Sequence, residues 1–318
     1  MANSRFPLLR RLESLPFWAI HLASVGVFFH AFEWKWVALC AALYVVRMFG
    51  ITAGYHRYFS HRTYRLNRFW QFMMGFLGAM SVQQGPLWWA AHHRHHHRFS
   101  DMPEDLHSPK QRGFWYSHMF WFLNGENDHT RMELIPDLAK YPELRLLNRL
   151  HYIPGVLLAV ACLALGGWPA FFWGFALSTT LLWHGTFTIN SLSHVFGSRR
   201  YQTTDTSRNN FWLALITLGE GWHNNHHCYQ SSTNQGFFWW EIDVSYHVLR
   251  AMSWVGITSH LKRAPVEKLE PRRIRRLERA PEFGRELGME HGLGHDEGRG
   301  QIRNEGRGLE ISPPEATA

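Results

Sequence analysis

Two apolar runs stand near the start of the chain, FWAIHLASVGVFFHA at 17–31 and WVALCAALYVVRMFGITA at 36–53, parted by a short polar break at 33–35. A second pair lies at 152–167 and 170–190, parted only by Trp168 and Pro169. Crossing a bilayer takes about 20 apolar residues, with tolerance either way, so each run is long enough to span. Buried helices of a soluble bundle rarely come as two such hairpins with Trp at their ends. The pattern predicts an all-α integral membrane protein with four transmembrane helices in two hairpins. A further apolar stretch, 69–89, is interrupted by Gln83, Gln84, Gly85 and Pro86. A fifth span would carry the histidine-rich segment after it to the other side of the membrane, so this stretch is expected to be an interfacial or re-entrant helix.

Beyond Trp254 the only aromatic is Phe283, and 264–318 is rich in Arg, Glu, Gly and Pro. The expected organisation is a cytoplasmic N-terminal segment at 1–16, a membrane domain at 17–263 and a basic, disordered tail at 264–318. Within that tail, 271–279 (PRRIRRLER) reads as a short basic helix able to lie on anionic headgroups.

Charge fixes the expected orientation. The net charge is +8. Arg5, Arg10 and Arg11 precede the first run, Lys35 alone marks the hairpin tips, and 54–150 and 195–318 hold 12 and 16 Lys/Arg. By the positive-inside rule both termini and the central loop are cytoplasmic, which explains the basic balance without nucleic acid. The mean hydropathy of −0.27 looks soluble because charged loops dilute the apolar runs. The first run lacks a small-residue cleavage site and leads straight into the second, unlike a secretory leader. Three scattered cysteines, Cys40, Cys162 and Cys228, suit a reducing compartment and no thiolate metal site.

Histidine changes the picture most. Its 22 copies are about 7% of the chain, roughly three times ordinary usage. They cluster just outside the apolar runs: His56 and His61, then His92, His93, His95, His96 and His97, then His194, then His223, His226 and His227. Residues i, i+3 and i+4 share a helix face, so His223, His226 and His227 are expected to point at one place. His93/His96/His97 repeats that spacing, and His92/His95/His96 is a competing register. His56 and His61 are too far around an ideal helix to share a face, so one of them is expected at a helix end. Eight or more convergent imidazoles exceed one tetrahedral site, and two metals are the natural accounting. His21, His30, His184 and His247 read as packed or interface residues, and His291 and His295 fall in the tail.

The ordered set HRYFSH (56–61), HRHHH (93–97), NSLSH (190–194) and HNNHH (223–227), between two apolar hairpins, resembles the integral-membrane fatty acyl desaturases of the delta-9 (stearoyl) type. The likeness runs from about Gly50 to Ser259 and includes GITAGYHRYFSHRTY, RGFWYSH at 112–118 and GEGWHNNHH. It favours the register His93, His96 and His97. It implies a cytoplasmic helical cap with a non-haem diiron centre held by His56, His61, His93, His96, His97, His194, His223, His226 and His227, with Asn190 joining through water. It also implies O2 as co-substrate and insertion of a cis double bond, at the delta-9 position, into a saturated acyl chain.

Taking hydrogen from an unactivated methylene needs an oxidant made from O2 and two external electrons, and regiochemistry then comes from how an apolar tunnel positions the chain. Glu220, Asp101 and Asp105 are candidates to orient ligating imidazoles. Gln84, Lys110 and Arg112 are candidates for the carrier headgroup. Where animal acyl-CoA enzymes carry an Arg-Asp pair before the second box, this chain has Ala91 and His92, and QQGPLWW (83–89) looks closer to cyanobacterial and plant relatives. The carrier is CoA or a glycerolipid, with the wider family favouring CoA. No haem segment or dinucleotide fingerprint is evident, so electrons are expected from a separate ferredoxin or cytochrome b5-type protein docking on the basic surface. Two other readings compete: a histidine-box hydroxylase or monooxygenase, and a metal-binding or transport membrane protein.

Overall fold

In the computed structural model, residues 14–123 and 125–274 are described. The expectations for Arg5, Arg10, Arg11, His291, His295 and most of the tail lie outside them. The fold is almost wholly helical. Its main helices are α1 (Leu15–Ser24), α2 (Trp34–Phe49), α3 (Arg68–Ala79), α4 (Pro86–Phe99), α5 (Tyr152–Ala170), α6 (Ser178–Asn190), α7 (Phe211–Ile216), α8 (His223–Cys228) and α9 (Val244–Trp254). Among the described residues the one strand pair is a two-residue antiparallel ribbon, Arg65–Leu66 against Thr258–Ser259.

Among the described residues two rods are long and apolar enough to cross a membrane, Trp34–Ser60 and Tyr152–His194. The first is α2 running on into a π-helical segment, Gly50–Ser60. The second contains both later apolar runs and is broken at Gly167 (φ 66°, ψ −161°), a backbone conformation that glycine alone adopts without strain. There the chain folds back, and Leu158 and Cys162 pack against Ala170 and Phe175. Val156, Leu157, Val160, Leu165 and Trp168 are exposed along this rod, which leaves an outward apolar face. The first run forms a shorter apolar helix, Leu15–Phe29, in which α1 tightens into a 3-10 turn at Val25–Phe29. α1 leans on the second rod, with Phe17 stacked on Trp183 (5.0 Å between ring centres) and Gly26 against the Phe172 ring.

The stretch read as one interfacial helix at 69–89 is two helices with a turn between them. Asn67 caps α3 by accepting from the Trp70 N–H, and Pro86 starts α4, where its missing N–H costs nothing. In the intervening turn Val82 and Gln84 have positive φ. Tyr55 donates to the Gln84 carbonyl (2.9 Å), Trp183 to that of Ser81 (2.8 Å) and Arg47 to that of Met80 (3.3 Å). Asn148 Oδ1 accepts from the Leu87 and Trp88 N–H groups, satisfying α4's open end from a distant helix, Pro142–Arg149.

The described start of the tail is ordered. Residues 264–274 are packed against the body: Leu269 is buried with Tyr201 and Cys228, and the Gln202 and Ile274 N–H groups bond to the Arg272 and Arg200 carbonyls. The basic helix expected at 271–279 is, in its described part, a 3-10 turn at Glu270–Arg272 and then extended Arg273, bridged to Tyr201.

Candidate metal centre

The histidines arrive at the site from four elements, and each is aimed by local structure. His56 lies in the π-segment and His61 just past it, where the His61 N–H bonds to the His56 carbonyl (3.2 Å). That i→i+5 bond widens the turn, so residues five apart share a face that an ideal α-helix would deny them. His93, His96 and His97 project from α4, and His194 ends the 3-10 turn after α6. α8 carries His223, His226 and His227 and is pinned by its two asparagines. Asn224 Oδ1 accepts from the Arg200 and Tyr201 N–H groups (2.8 Å each), and Asn225 Nδ2 donates to Glu241 (2.8 Å). Gly221, just before α8, has no room for a Cβ: one would lie 2.0 Å from the Ala214 nitrogen.

These nine imidazoles form two groups whose donor atoms lie within 4.8 Å of one another: His56, His61, His93, His97 and His226 in one, His96, His194, His223 and His227 in the other. Each His-x-x-His-His box is therefore divided between the groups, where the spacing alone suggested three imidazoles aimed at one place. The i, i+4 pairs stay together (His93 with His97, His223 with His227), and the i+3 member crosses to the other group. The groups abut, with the His97 and His227 ring centres 4.5 Å apart.

The donor atoms face inward. In the five-membered group Nε2–Nε2 separations are 2.9 Å for His61–His93, His93–His97 and His97–His226, and 3.0 Å for His56–His226. In the other, His194 and His223 Nε2 are 3.1 Å apart. Adjacent nitrogens bonded at about 2.1 Å to one ion lie about 3 Å apart, so the donor set fits a metal in each group. Burial, reinforced by neighbouring imidazoles, pushes His61, His93, His97, His223 and His226 well below the ordinary histidine pKa. They are neutral near pH 7, as ligands must be.

Carboxylates hold the outer nitrogens. His56 Nδ1 lies 2.5 Å from Glu220, His96 Nδ1 donates to Asp105 (2.9 Å) and His227 Nδ1 to Asp205 (2.7 Å). Asp101 stands 3.5 Å from His194 Nδ1 and accepts from Ser108 and Thr206 at 2.6 Å. Such bonds fix the tautomer and turn the Nε2 lone pair toward the ion. Burial alone would raise the aspartic acids, but the facing imidazoles hold Asp101, Asp105 and Asp205 well below the usual carboxylate range. Glu220 is also held by fully buried Arg57, which bonds Asp243 on its other side (2.9 Å). Asp205 and Asp243 belong to no motif and Arg57 sits unremarked inside HRYFSH, so sequence reasoning missed all three.

The other residues singled out divide. His92 donates to the Trp88 carbonyl and stacks on Trp88, and His95 bonds to the Glu104 carbonyl and Arg131, so neither joins a group. Asn190 lines both a cavity of about 530 Å³ and a smaller one of about 30 Å³ touching His56, His93, His96 and His223. Trp89, His93 and Thr186 line both as well and form the neck between them. The larger cavity is walled by Phe17, Trp88, Trp121, Trp183 and Phe187, and Gln84 also lines it. Lys110 and Arg112 do not; both are exposed on Pro109–Arg112, and Arg112 bonds the Tyr116 hydroxyl (2.6 Å).

Comparison with known proteins agrees with this geometry. The family described as fatty acid desaturase matches residues 32–255. The chain is 36% identical over 248 residues to a chloroplastic palmitoyl-monogalactosyldiacylglycerol delta-7 desaturase of Arabidopsis thaliana, covering 77% of this chain and 66% of that protein. It is 35% identical over 235 residues to an acyl-CoA C20 Delta5-desaturase of Anemone leveillei (73% of this chain, 75% of that one). It is 35% identical over 266 residues to an sn-2 palmitoyl-lipid 9-desaturase of Nostoc sp. (strain 36), covering 81% and 92%. The chain belongs to the fatty acid desaturase family, and it is an oxidoreductase of lipid metabolism.

Proposed function

We propose that this desaturase uses O2 to insert a cis double bond, at the delta-9 position, into a saturated acyl chain carried on CoA or a glycerolipid. The observation that carries the reading is the pair of abutting all-imidazole groups at the neck of an aromatic-walled cavity. In this reading His56, His61, His93, His97 and His226 hold one iron, and His96, His194, His223 and His227 hold the other, with Asn190 contributing through water. Irons so held supply the oxidising power of O2 reduced by two electrons. Overall, a –CH2–CH2– unit, O2, two electrons and two protons give –CH=CH– and two waters.

The chain's own residues do the rest. Glu220, Asp101, Asp105 and Asp205 orient imidazoles and offset part of the charge that neutral ligands leave. Phe17, Trp88, Trp183 and Phe187 exclude water and confine the chain, so the carbons at the neck are chosen by position. The relatives' names include delta-5, delta-7 and delta-9 desaturases, so bond position rests on the likeness of the boxes.

The same reading makes the exposed apolar faces lipid-facing. Four spans then form two hairpins, with both termini and the metal-bearing helices α4 and α8 on the cytoplasmic side. The membrane domain begins at 17 after a 1–16 segment and is followed by the basic tail, whose first residues, 264–274, lie against it. A ferredoxin or cytochrome b5-type protein brings the electrons. Expression in a host lacking its own desaturase tests this. Fatty acids with a cis double bond at one position, lost on His226→Ala, are expected. A product carrying an added oxygen would replace desaturation with hydroxylation.

A further inference from the structure

Arg47 stands where a cation is costly. It lies near the end of α2, inside one of the two rods long and apolar enough to cross a membrane, and it is fully buried. Its printed partners are all uncharged. Nε donates to the Leu43 carbonyl (3.0 Å), Nη1 to the Met80 carbonyl (3.3 Å) and the Thr179 hydroxyl (2.6 Å), and Nη2 to the Ser178 hydroxyl. A guanidinium set into a span is rare and marks a task.

The Met80 carbonyl belongs to the turn between α3 and α4, and both rods reach that turn. Besides Arg47, Trp183 of α6 holds the Ser81 carbonyl and Tyr55 holds that of Gln84. The turn is strained. Val82 has φ 57° and Gln84 φ 65°, the left-handed region that a β-branched residue scarcely adopts. The Val82 side chain also fills the space beside Gly155 of α5, where a Cβ would lie 2.7 Å from its methyl. Such a conformation persists only where the surroundings over-determine it, and Arg47 is one of the groups that do so.

What the turn positions is the neck. Gln83 Nε2 donates to the Thr186 hydroxyl (3.1 Å), and Thr186 lines both cavities together with Trp89 and His93. α4, which bears Trp89 and His93, starts at Pro86, two residues past Gln84. Both walls of the neck therefore take their height along the acyl chain from this turn. Successive carbons of an extended chain advance by about 1.3 Å, so a shift of that size moves the reacting bond by one position.

We propose that Arg47 is a positioning residue that fixes which carbon–carbon bond of the acyl chain is oxidised, acting through the 80–85 turn. It lines neither cavity; its guanidinium ties α2 to the turn and to Ser178 and Thr179 on α6. This rests on the desaturase reading above and names the determinant of bond position, whichever position that is.

The test locates the double bond by mass spectrometry in fatty acids made by a desaturase-deficient host expressing the full chain, Arg47→Met or Val82→Gly. Methionine keeps the length and suits a span while removing the cation. Glycine relieves the strain and slackens the turn without touching Arg47. One positional isomer is expected from the unsubstituted chain. From Arg47→Met, neighbouring positions should make up at least about a tenth of the product, with iron per purified chain unchanged, and Val82→Gly should spread the position likewise. A single isomer from either folded variant, at whatever yield, would overturn the inference and leave the desaturase reading standing. If Arg47→Met does not fold, Val82→Gly decides alone. Absence of unsaturated product from the unsubstituted chain would overturn the desaturase reading, and this inference with it.

Discussion

The two histidine groups differ in how they are supported. In the group of five, His56 alone contacts a carboxylate, Glu220, which is itself shared with Arg57. In the group of four, His194, His96 and His227 meet Asp101, Asp105 and Asp205. The smaller group has fewer nitrogens but more negative charge behind them, which makes its imidazoles better donors to an ion and also to a proton. Two ions in such surroundings would not be equivalent. The geometry behind the difference is plain: both His-x-x-His-His boxes straddle the groups, so one helix face serves two centres and each group needs outside support to settle its tautomers.

Removing a ligand from either group is the harshest way to break this comparison. His226→Ala in the larger group and His227→Ala in the smaller are each expected to lower product formation by more than about 100-fold. Bound iron in purified protein should fall from about two to about one per chain if the groups load separately. Loss of both irons from either variant would show that the groups load as a unit.

Removing the supports comes next. Asp205→Asn should weaken metal retention by about 10- to 100-fold while the larger group keeps its ion, and Glu220→Gln should do the converse. Titration with a chelator, then metal counting, reads this directly. Equal loss from both groups in Asp205→Asn would erase the distinction.

Acid should separate the groups more gently. Burial works against a charged His96, but Asp105 raises its pKa above the ordinary value, whereas His93, His97 and His226 are pushed well below theirs. Protons compete with metal for the same nitrogens. As pH falls, His96 takes up its proton first, so metal leaves the smaller group at a higher pH than the larger. Chelator-release profiles measured per ion between neutral pH and about pH 4 check the order; simultaneous release would contradict it. The smallest effect belongs to Lys110→Ala and Arg112→Ala, which touch neither group nor the cavity lining: product formation should change by no more than about twofold, as exposed substitutions usually do.

Much of this was legible in the sequence because histidine is rare and its spacing is informative. The boxes named the nine imidazoles that the fold brings together, and the likeness of HRHHH to a known family favoured His93 over His92. The division of each box was not legible, since i, i+3 and i+4 positions share a face on an isolated helix and only the second group separates them. The π-helical turn at His56–His61 was hidden too, because an apolar run does not distinguish wide turns from ordinary ones. The break between α3 and α4 was marked by QQGP, yet averaging over the apolar run made it look like an interruption within one helix. Asp205 and Asp243 come from segments outside the boxes, with no spacing to betray them, and Arg57 stands inside HRYFSH with nothing in its spacing to mark its partners.

Metal analysis of the purified full-length chain tests the central claim most directly. About two irons per chain are expected from two imidazole groups that each fit one ion. Zinc alone, at about one per chain, would contradict the account and favour a structural or transport role for the histidines.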